Sequence, residues 1–330
     1  MIEEVAPKIF KIEIPIPIPF LDSVNAYVVK GEDRALLVDT GMGRPVCMEA
    51  MRSALGELGV DLEETDFFIT HHHGDHFGLL PGLLTDRSRV FISEREEGQI
   101  RRITTGKILD DVAHFIVITG FPESDLSKLI PSGTGVEYTA RNAWPFRFVH
   151  DGDVVEAGPY RFVCLQTPGH SAGHMCLYDS TARILFSGDH VLHGITPGIQ
   201  LRSDRENPLQ EYIDSLDRLI RLDVGLVLPG HGAVFANYRE RIGEIVEHHR
   251  KRALEIVDTL SGEARNPYEV ASRITWSVVD CEGWEGLPLV QQFFATGEAF
   301  SHLKFLEERG QVRKTRAGEL LRYQGSIMNH

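Results

Sequence analysis

Cysteine is scarce in this chain. Its four residues, Cys47, Cys164, Cys176 and Cys281, are far apart, and no two form a C-x-x-C pair. That spacing argues against a thiolate zinc knuckle or a disulfide scaffold and fits thiols in a reducing compartment. Long apolar runs are missing too. No stretch approaches the roughly 18 residues that a membrane-spanning helix needs. The N-terminus, "MIEEVAPKIFKIEIPIPIPF", lacks the basic start and unbroken apolar core of a secretory signal. A cytoplasmic protein with no membrane partner is therefore expected. Positive charge is in deficit, with a formal net charge of −14. A chain of that sign does not grip polyanions over its whole surface.

The remaining composition is ordinary: 330 residues, 42% hydrophobic and 25% charged, enough for one large domain with a smaller one. From residue 8 to 40 short apolar runs rich in Ile and Val read as strands. Pro15, Pro17 and Pro19 mark the first as an edge or irregular strand. Strands and helices alternate to about residue 235. Helical patterns then dominate. Asn266-Pro267-Tyr268-Glu269 has the layout of a capped helix start. A long helix is expected from Pro288 to Arg309, interrupted near Gly297, then a hairpin turning near Ala317-Gly318. Helix, helix, helix, hairpin suggests a small winged-helix-like domain. The boundaries expected are 1–236 and 237–330.

The stretch 70–78, "THHHGDHFG", sets four histidines and an aspartate in six consecutive positions. Such a run does little for folding, but it makes sense if other segments supply further ligands. They do. "LQTPGHSAGH" carries His170 and His174, "ILFSGDH" carries Asp189 and His190, and "LVLPGHG" carries His231. Each follows an apolar run, so each falls at a strand end, where loops converge. Neutral imidazole with carboxylate suits zinc, and also iron or manganese. Two ions sharing a carboxylate can generate hydroxide at neutral pH and stabilise a developing oxyanion.

With "VDTG" upstream, these five motifs in this order resemble the metallo-β-lactamase-fold hydrolases over about residues 8–235. The resemblance implies an α+β fold, a four-layer αββα sandwich, here with the small C-terminal helical winged-helix-like domain. It implies that His71, His73 and His170 hold one divalent metal ion and that Asp75, His76 and His231 hold a second. Asp189 bridges the two. Asp39 stands behind the ligands and orients them, and His72 occupies a variable position and points away. Asp75, Asp189 and Asp39 are the catalytic carboxylates. His174 is expected to support its turn, and His190 to line the pocket or do nothing.

Asp189 stands where the cysteine-ligand β-lactamases carry Cys, which argues against antibiotic hydrolysis. Only 42 positions separate Asp189 from His231, too few for the inserted clamp of the nucleases. The full ligand set resembles glyoxalase II and its thioesterase relatives. The tail is similar to that of the β-lactamase-like protein 2 group. The 94 positions between His76 and His170 leave room for a helical lid at about 96–145. The expected function is hydrolysis of a thioester or activated ester, with a hydroxide shared by two ions, zinc first, as nucleophile. The alternatives are a phosphodiesterase or endoribonuclease on the same metals, and a non-enzymatic metal- or ligand-sensing winged-helix protein. The expected partner is a small ester or thioester, with nucleic acid second and a homodimer allowed. Arg313, Lys314, Arg316 and Arg322 make the hairpin basic, yet residues 241–330 hold 12 Lys and Arg against 13 Asp and Glu.

Overall fold

The computed structural model describes residues 1–18, 21–123, 145–201, 203, 205–276 and 283–326. They group into two compact units. The first comprises Met1–Thr105, Gly133–Pro197 and Ser215–Ile242. The second comprises Gly106–Ser132, Gly198–Asp214 and Gly243–His330.

The first unit is built on two sheets. Strands β1 (Ile2–Ala6), β2 (Ile9–Ile18), β3 (Leu21–Lys30), β4 (Ala35–Val38), β5 (Thr65–Phe68), β6 (Val90–Ile92) and β7 (Phe146–Phe148) lie in sequence order. β1 to β4 pair antiparallel, and β4 to β7 pair parallel. The second sheet holds β8 (Val154–Ala157), β9 (Tyr160–Gln166), β10 (Met175–Asp179), β11 (Ile184–Gly188) and β12 (Leu226–Pro229), in the order β12-β11-β10-β9-β8. Only β11 and β12 are parallel there.

The two-residue side-chain period of a strand explains the layering. Along β3, Val24, Ala26 and Val28 face one way, and Tyr27 and Val29 the other. The first set packs on helix α1 (Pro45–Glu57) through Cys47, Met51, Ala54 and Leu55. The second set meets Phe162, Cys164, Leu177, Phe186 and Leu228 from the second sheet. Strands buried on both faces read as continuous apolar runs, as "ALLV" and "DFFI" do. Each large side chain buried between the sheets contributes roughly 1.5–3 kcal/mol. The far face of the second sheet is covered by the segment after β11: Ser215 Oγ donates to Pro168 O at 2.9 Å, and Tyr178 Oη donates to Asp223 O at 2.9 Å. The result is the expected αββα sandwich.

Of the two forms expected for β2, the irregular one holds: it lies between β1 and β3 and is not an edge strand, but its register slips at the prolines. Its prolines are tolerated because the pairing with β1 runs only from Ile9 to Ile12. Pro15 and Pro17 fall beyond it, where no neighbour on that side needs an N–H, and the register with β3 slips between Pro15 and Ile18.

The long loop between β6 and β7 starts with helix α4 (Glu94–Thr104) and helix α5 (Ile108–Thr119). Short helices α2 (Gly74–Phe77) and α3 (Leu80–Leu83) precede them. Helix α6 (Pro208–Leu219) follows β11. Residues 124–144 of the lid expected at 96–145, "SDLSKLIPSGTG" among them, lie outside the described residues. The helices that are described divide differently from the expectation. α4 belongs to the first unit and α5 to the second, whose core takes Phe115, Ile116 and Ile118.

Helix α7 (Tyr238–Thr259) enters the second unit at Gly243, and there α8 (Pro267–Ala271), α9 (Gly283–Gly286) and α10 (Leu289–Glu308) are followed by the hairpin β13 (Val312–Ala317) and β14 (Leu320–Gly325). Asn266 closes a full capping box with Glu269. α10 runs unbroken through Gly297. The Gly297 carbonyl accepts a hydrogen bond from Leu201 N–H at 3.0 Å, so the glycine marks a close backbone approach and not a break. No described helix is long and apolar enough to cross a membrane.

Candidate metal centre

All the ligand candidates leave the C-terminal ends of strands or the loops just after them. Asp39 follows β4, His71, His73, Asp75 and His76 follow β5, His170 follows β9, Asp189 follows β11 and His231 follows β12. The structure brings them into two adjoining sets. His71, His73, His170 and Asp189 form one, and Asp75, His76 and His231 the other; within each, the ligand atoms lie within 4.8 Å of one another. Asp189 also links the sets, with Oδ2 3.7 Å from His170 Nε2 and 3.4 Å from His231 Nε2, and Oδ1 3.5 Å from His76 Nε2. Every residue named as a ligand from the sequence is therefore at one place.

Each imidazole tautomer is set by its other nitrogen. His76 Nδ1 donates to Asp39 Oδ2 at 2.8 Å, which makes Nε2 the nitrogen that faces Asp75 and Asp189. His231 Nδ1 donates to the Ser23 carbonyl at 2.8 Å, which does the same for its Nε2. Thr70 Oγ1 donates to Asp39 Oδ2 at 2.8 Å and can accept from His71 Nδ1 at 3.0 Å, leaving Nε2 bare. Asp39 also accepts the Thr70 N–H at 2.9 Å and sits at φ 56°, an uncommon left-handed conformation for a residue other than glycine. His72 is in neither set. Its Nδ1 lies 2.5 Å from Glu96 Oε2. His174 supports its turn: Nδ1 bonds Thr167 Oγ1 at 2.8 Å, and Nε2 accepts the Asp189 N–H at 3.2 Å. His190 is buried, its ring centroid 5.7 Å from that of His174.

Two positions tolerate no side chain. A Cβ on Gly230 would sit 2.3 Å from Asp189 Oδ1 and 2.8 Å from His76 Cε1. A Cβ on Gly188, where φ is 48°, would meet His174 Nε2 at 2.6 Å. Those glycines let the backbone pass directly behind the ligands.

The electrostatics split the centre in two. Burial, then the neighbouring imidazoles His76 and His73, hold His71 well below the ordinary histidine range. Burial with His170 and His72 does the same to His73. Both rings are therefore neutral. Burial also disfavours charge on His76, but the carboxylates of Asp189, Asp75 and Asp39 outweigh it and hold its pKa well above normal. His231 likewise reaches about 10, burial being overcome by Asp189 and then Asp75. Burial opposes ionisation of Asp75 and Asp189, yet the facing His76 and His231 keep both well below the usual carboxylate range.

Do these residues fit metal ions? Two atoms decide it. His76 Nε2 and Asp189 Oδ1 are buried and have no hydrogen-bond partner. An unpaired buried acceptor costs roughly 1–3 kcal/mol, more when charged. A divalent cation bound by both would remove that cost, and a His/Asp donor set suits zinc, iron or manganese. His71, His73 and His170 would hold one ion, Asp75, His76 and His231 a second, with Asp189 shared.

Three positioning groups were not anticipated from the motifs. Asn25 Nδ2 donates to Pro229 O at 3.0 Å and to Gly232 O at 2.8 Å, and Tyr27 Oη donates to Pro229 O at 2.7 Å. They brace the turn that carries His231. The third, Glu96, is buried behind His72. Asn25 and Tyr27 lie in an ordinary strand pattern and carried no signal. Glu96 lies in "SERE", which reads as a helix start and nothing more.

Residues 19–231 match the model of the metallo-beta-lactamase superfamily. The chain belongs to that superfamily. It is 26% identical over 312 residues to the probable metallo-hydrolase YqjP of Bacillus subtilis, covering 90% of this chain and 92% of that one. It is 29% identical over 242 residues to human acyl-coenzyme A thioesterase MBLAC2, covering 69% of this chain and 79% of the relative. Among solved structures, the metallo-beta-lactamase family protein TTHA1429 from Thermus thermophilus superposes with a TM-score of 0.81 at 29% identity. That match covers 98% of this chain and all of the other. The chain is thus a metallo-hydrolase of this superfamily by sequence, fold and donor set.

Proposed function

We propose that the protein hydrolyses a thioester, or an ester of similar reactivity, at a centre holding two divalent ions. The observation that carries this reading is the pair of adjoining His/Asp sets with bare, buried Nε2 and Oδ atoms. The likeness to a thioesterase supports the choice of ester class. Ions held there supply Lewis-acid chemistry: they make water acidic near neutral pH and place positive charge where an acyl oxygen becomes negative.

The chain's own part follows from its geometry. Asp75 keeps 21% of its side chain exposed, against 9% for Asp189, so it is the carboxylate of the pair that faces arriving solvent. Both stay ionised at neutral pH and accept hydrogen bonds from an attacking water, which orients it. Asp39 fixes the His76 ring. The imidazoles of His71, His73 and His170 line the opposite side. A thiol leaving group has a pKa near 8.5, so it departs as thiolate without a strong general acid. The centre offers no neutral carboxylic acid for that task, which fits a thioester better than an unactivated ester.

The hairpin charges speak against a nucleic-acid grip. Lys314 pairs with Glu307 at 3.1 Å and Arg322 with Glu269 at 3.8 Å. Lys314 and Arg322 are thus met by carboxylates of their own unit.

Metal content of protein purified without added metal, together with turnover of an acyl-coenzyme A thioester and of a phosphodiester, tests the proposal. Two ions per chain and faster thioester cleavage are expected, with Asp189→Ala abolishing both. Phosphodiester cleavage alone, or an Asp189→Ala protein that still cleaves the thioester, would overturn it.

A further inference from the structure

Glu96 is the strongest buried charge outside the ligand sets. It is fully buried, and each of its oxygens serves a different loop. Oε2 accepts the His72 N–H at 2.7 Å and faces His72 Nδ1 at 2.5 Å. Oε1 accepts the Ser171 hydroxyl at 2.8 Å and the Gly173 N–H at 2.6 Å. One oxygen therefore holds the loop that carries His71 and His73, and the other the loop that carries His170. Those three imidazoles make up one metal position. His73 Nδ1 lies 3.0 Å from both His71 Nε2 and His170 Nε2.

The surroundings are built for this. "SERE" at 93–96 is a capping-box sequence. Ser93 Oγ does accept the Glu96 N–H at 3.3 Å, and it donates to Gly173 O at 2.7 Å. The Glu96 carboxylate does not fold back to close the box but reaches the two loops instead. Arg95 adds a bond to Ala172 O at 3.2 Å. Gly173 leaves the space: a Cβ there would lie 2.5 Å from Ser93 Oγ and 2.9 Å from Glu96 Oε1. Burial disfavours the charged carboxylate, but His72, Ser171 and the backbone donors hold its pKa down near 2.

We propose that Glu96 is a positioning residue that sets the distance between the His71/His73 loop and the His170 loop, and so the affinity of one metal position without the other. This rests on the two-ion reading of the centre. Gln at 96 is the sharp variant. Its oxygen can serve one loop, but its amide nitrogen presents hydrogens to the donors of the other.

The experiment is chelator competition on zinc-loaded protein, resolving the two ions, with unfolding followed by circular dichroism. Loss of about 10–100-fold in affinity for one ion is expected for Glu96→Gln, in keeping with the weight of groups that orient ligands. The ion bound by Asp75, His76 and His231 should keep its affinity. Ser171→Ala, which removes one donor only, should lose less at the same position and remain folded; Glu96→Asp should recover part of the loss. In turnover, Glu96→Gln should lower kcat more than it raises KM. Equal affinity for both ions in Glu96→Gln and Ser171→Ala overturns the inference, as does equal weakening of both ions in Ser171→Ala. If wild-type protein binds fewer than two ions, the two-ion reading fails, and this inference fails with it on separate evidence.

Discussion

Asp39→Asn changes one atom, and the structure says what it should do. Asp39 accepts three hydrogen bonds, from Thr70 N–H, Thr70 Oγ1 and His76 Nδ1. An Asn at this site can keep Oδ1 for the Thr70 amide. Its Nδ2 then faces Thr70 Oγ1 and His76 Nδ1, where an acceptor stood. Backbone strain is not the cause of any effect, because Asn tolerates the left-handed φ of 56° that Asp39 adopts. The cheapest relief is loss of the Nδ1 proton, so that Nδ1 becomes the acceptor and the ring keeps its one proton on Nε2. A protonated Nε2 cannot bind metal. Groups that orient ligands in this way are worth about 10–100-fold in metal affinity, or roughly 1.4–2.7 kcal/mol. The assay is metal competition, joined to ¹⁵N NMR of the His76 ring in the metal-free protein. The expected result is weaker metal binding together with loss of the Nδ1–H signal, since the metal-free wild-type ring already carries Nε2–H. Wild-type affinity with the Nδ1–H signal retained would refute the reasoning, because Asp39 would then be dispensable for ring orientation.

Gly230→Ala forces a methyl against Asp189 Oδ1 and His76 Cε1. Overpacking of this kind costs about 1–3 kcal/mol, and the thermal midpoint and the metal content should fall together; a fall in neither would show that the turn can shift freely. Metal loading should release protons at neutral pH. In the metal-free protein His76 is raised well above normal and His231 to about 10, so both carry protons that an ion must displace. Affinity therefore rises with pH until His231 titrates, which calorimetry in buffers of different ionisation enthalpy would read as proton release; no buffer dependence would sink the prediction. The same shifts stabilise the metal-free fold. That contribution is complete below the unfolded histidine value of about 6.5 and is lost as pH climbs through about 10. Denaturant midpoints of chelated protein should drop across that range.

The ligand set was legible because each motif couples an apolar run to a Gly-flanked polar turn. "LVLPGHG" announces both the strand and the ligand at its end. The braces were not legible. Asn25 and Tyr27 reach Pro229 across more than 200 positions of sequence, and nothing in "NAYVV" says where its polar groups point. Glu96 was hidden by a second meaning, since the local pattern of a helix start accounts for it completely. β2 was half legible: its prolines do mark an irregular stretch, where the register with β3 slips, but a proline count says nothing about where a neighbouring strand stops. Gly297 looked like a helix break, yet a 20-residue helix with a packed face absorbs the propensity of one glycine, about 1 kcal/mol. The assignment of α5 to the second unit depends on which apolar partners Phe115 and Ile118 find, and a periodic pattern names the face but not the partner.

The crossing between β3 and β12 has a consequence for how the protein is made. Ser23, Asn25 and Tyr27 belong to the first sheet and to the start of the chain, whereas the turn they hold closes the second sheet near residue 231. A nascent chain therefore exposes its first four candidate ligands, His71, His73, Asp75 and His76, long before the last one exists. Asp75 and His76 lack the third member of their set until β12 arrives. An ion bound there would tie His231 back to Asp75 and His76 across a longer stretch of chain than separates His71 from Asp189.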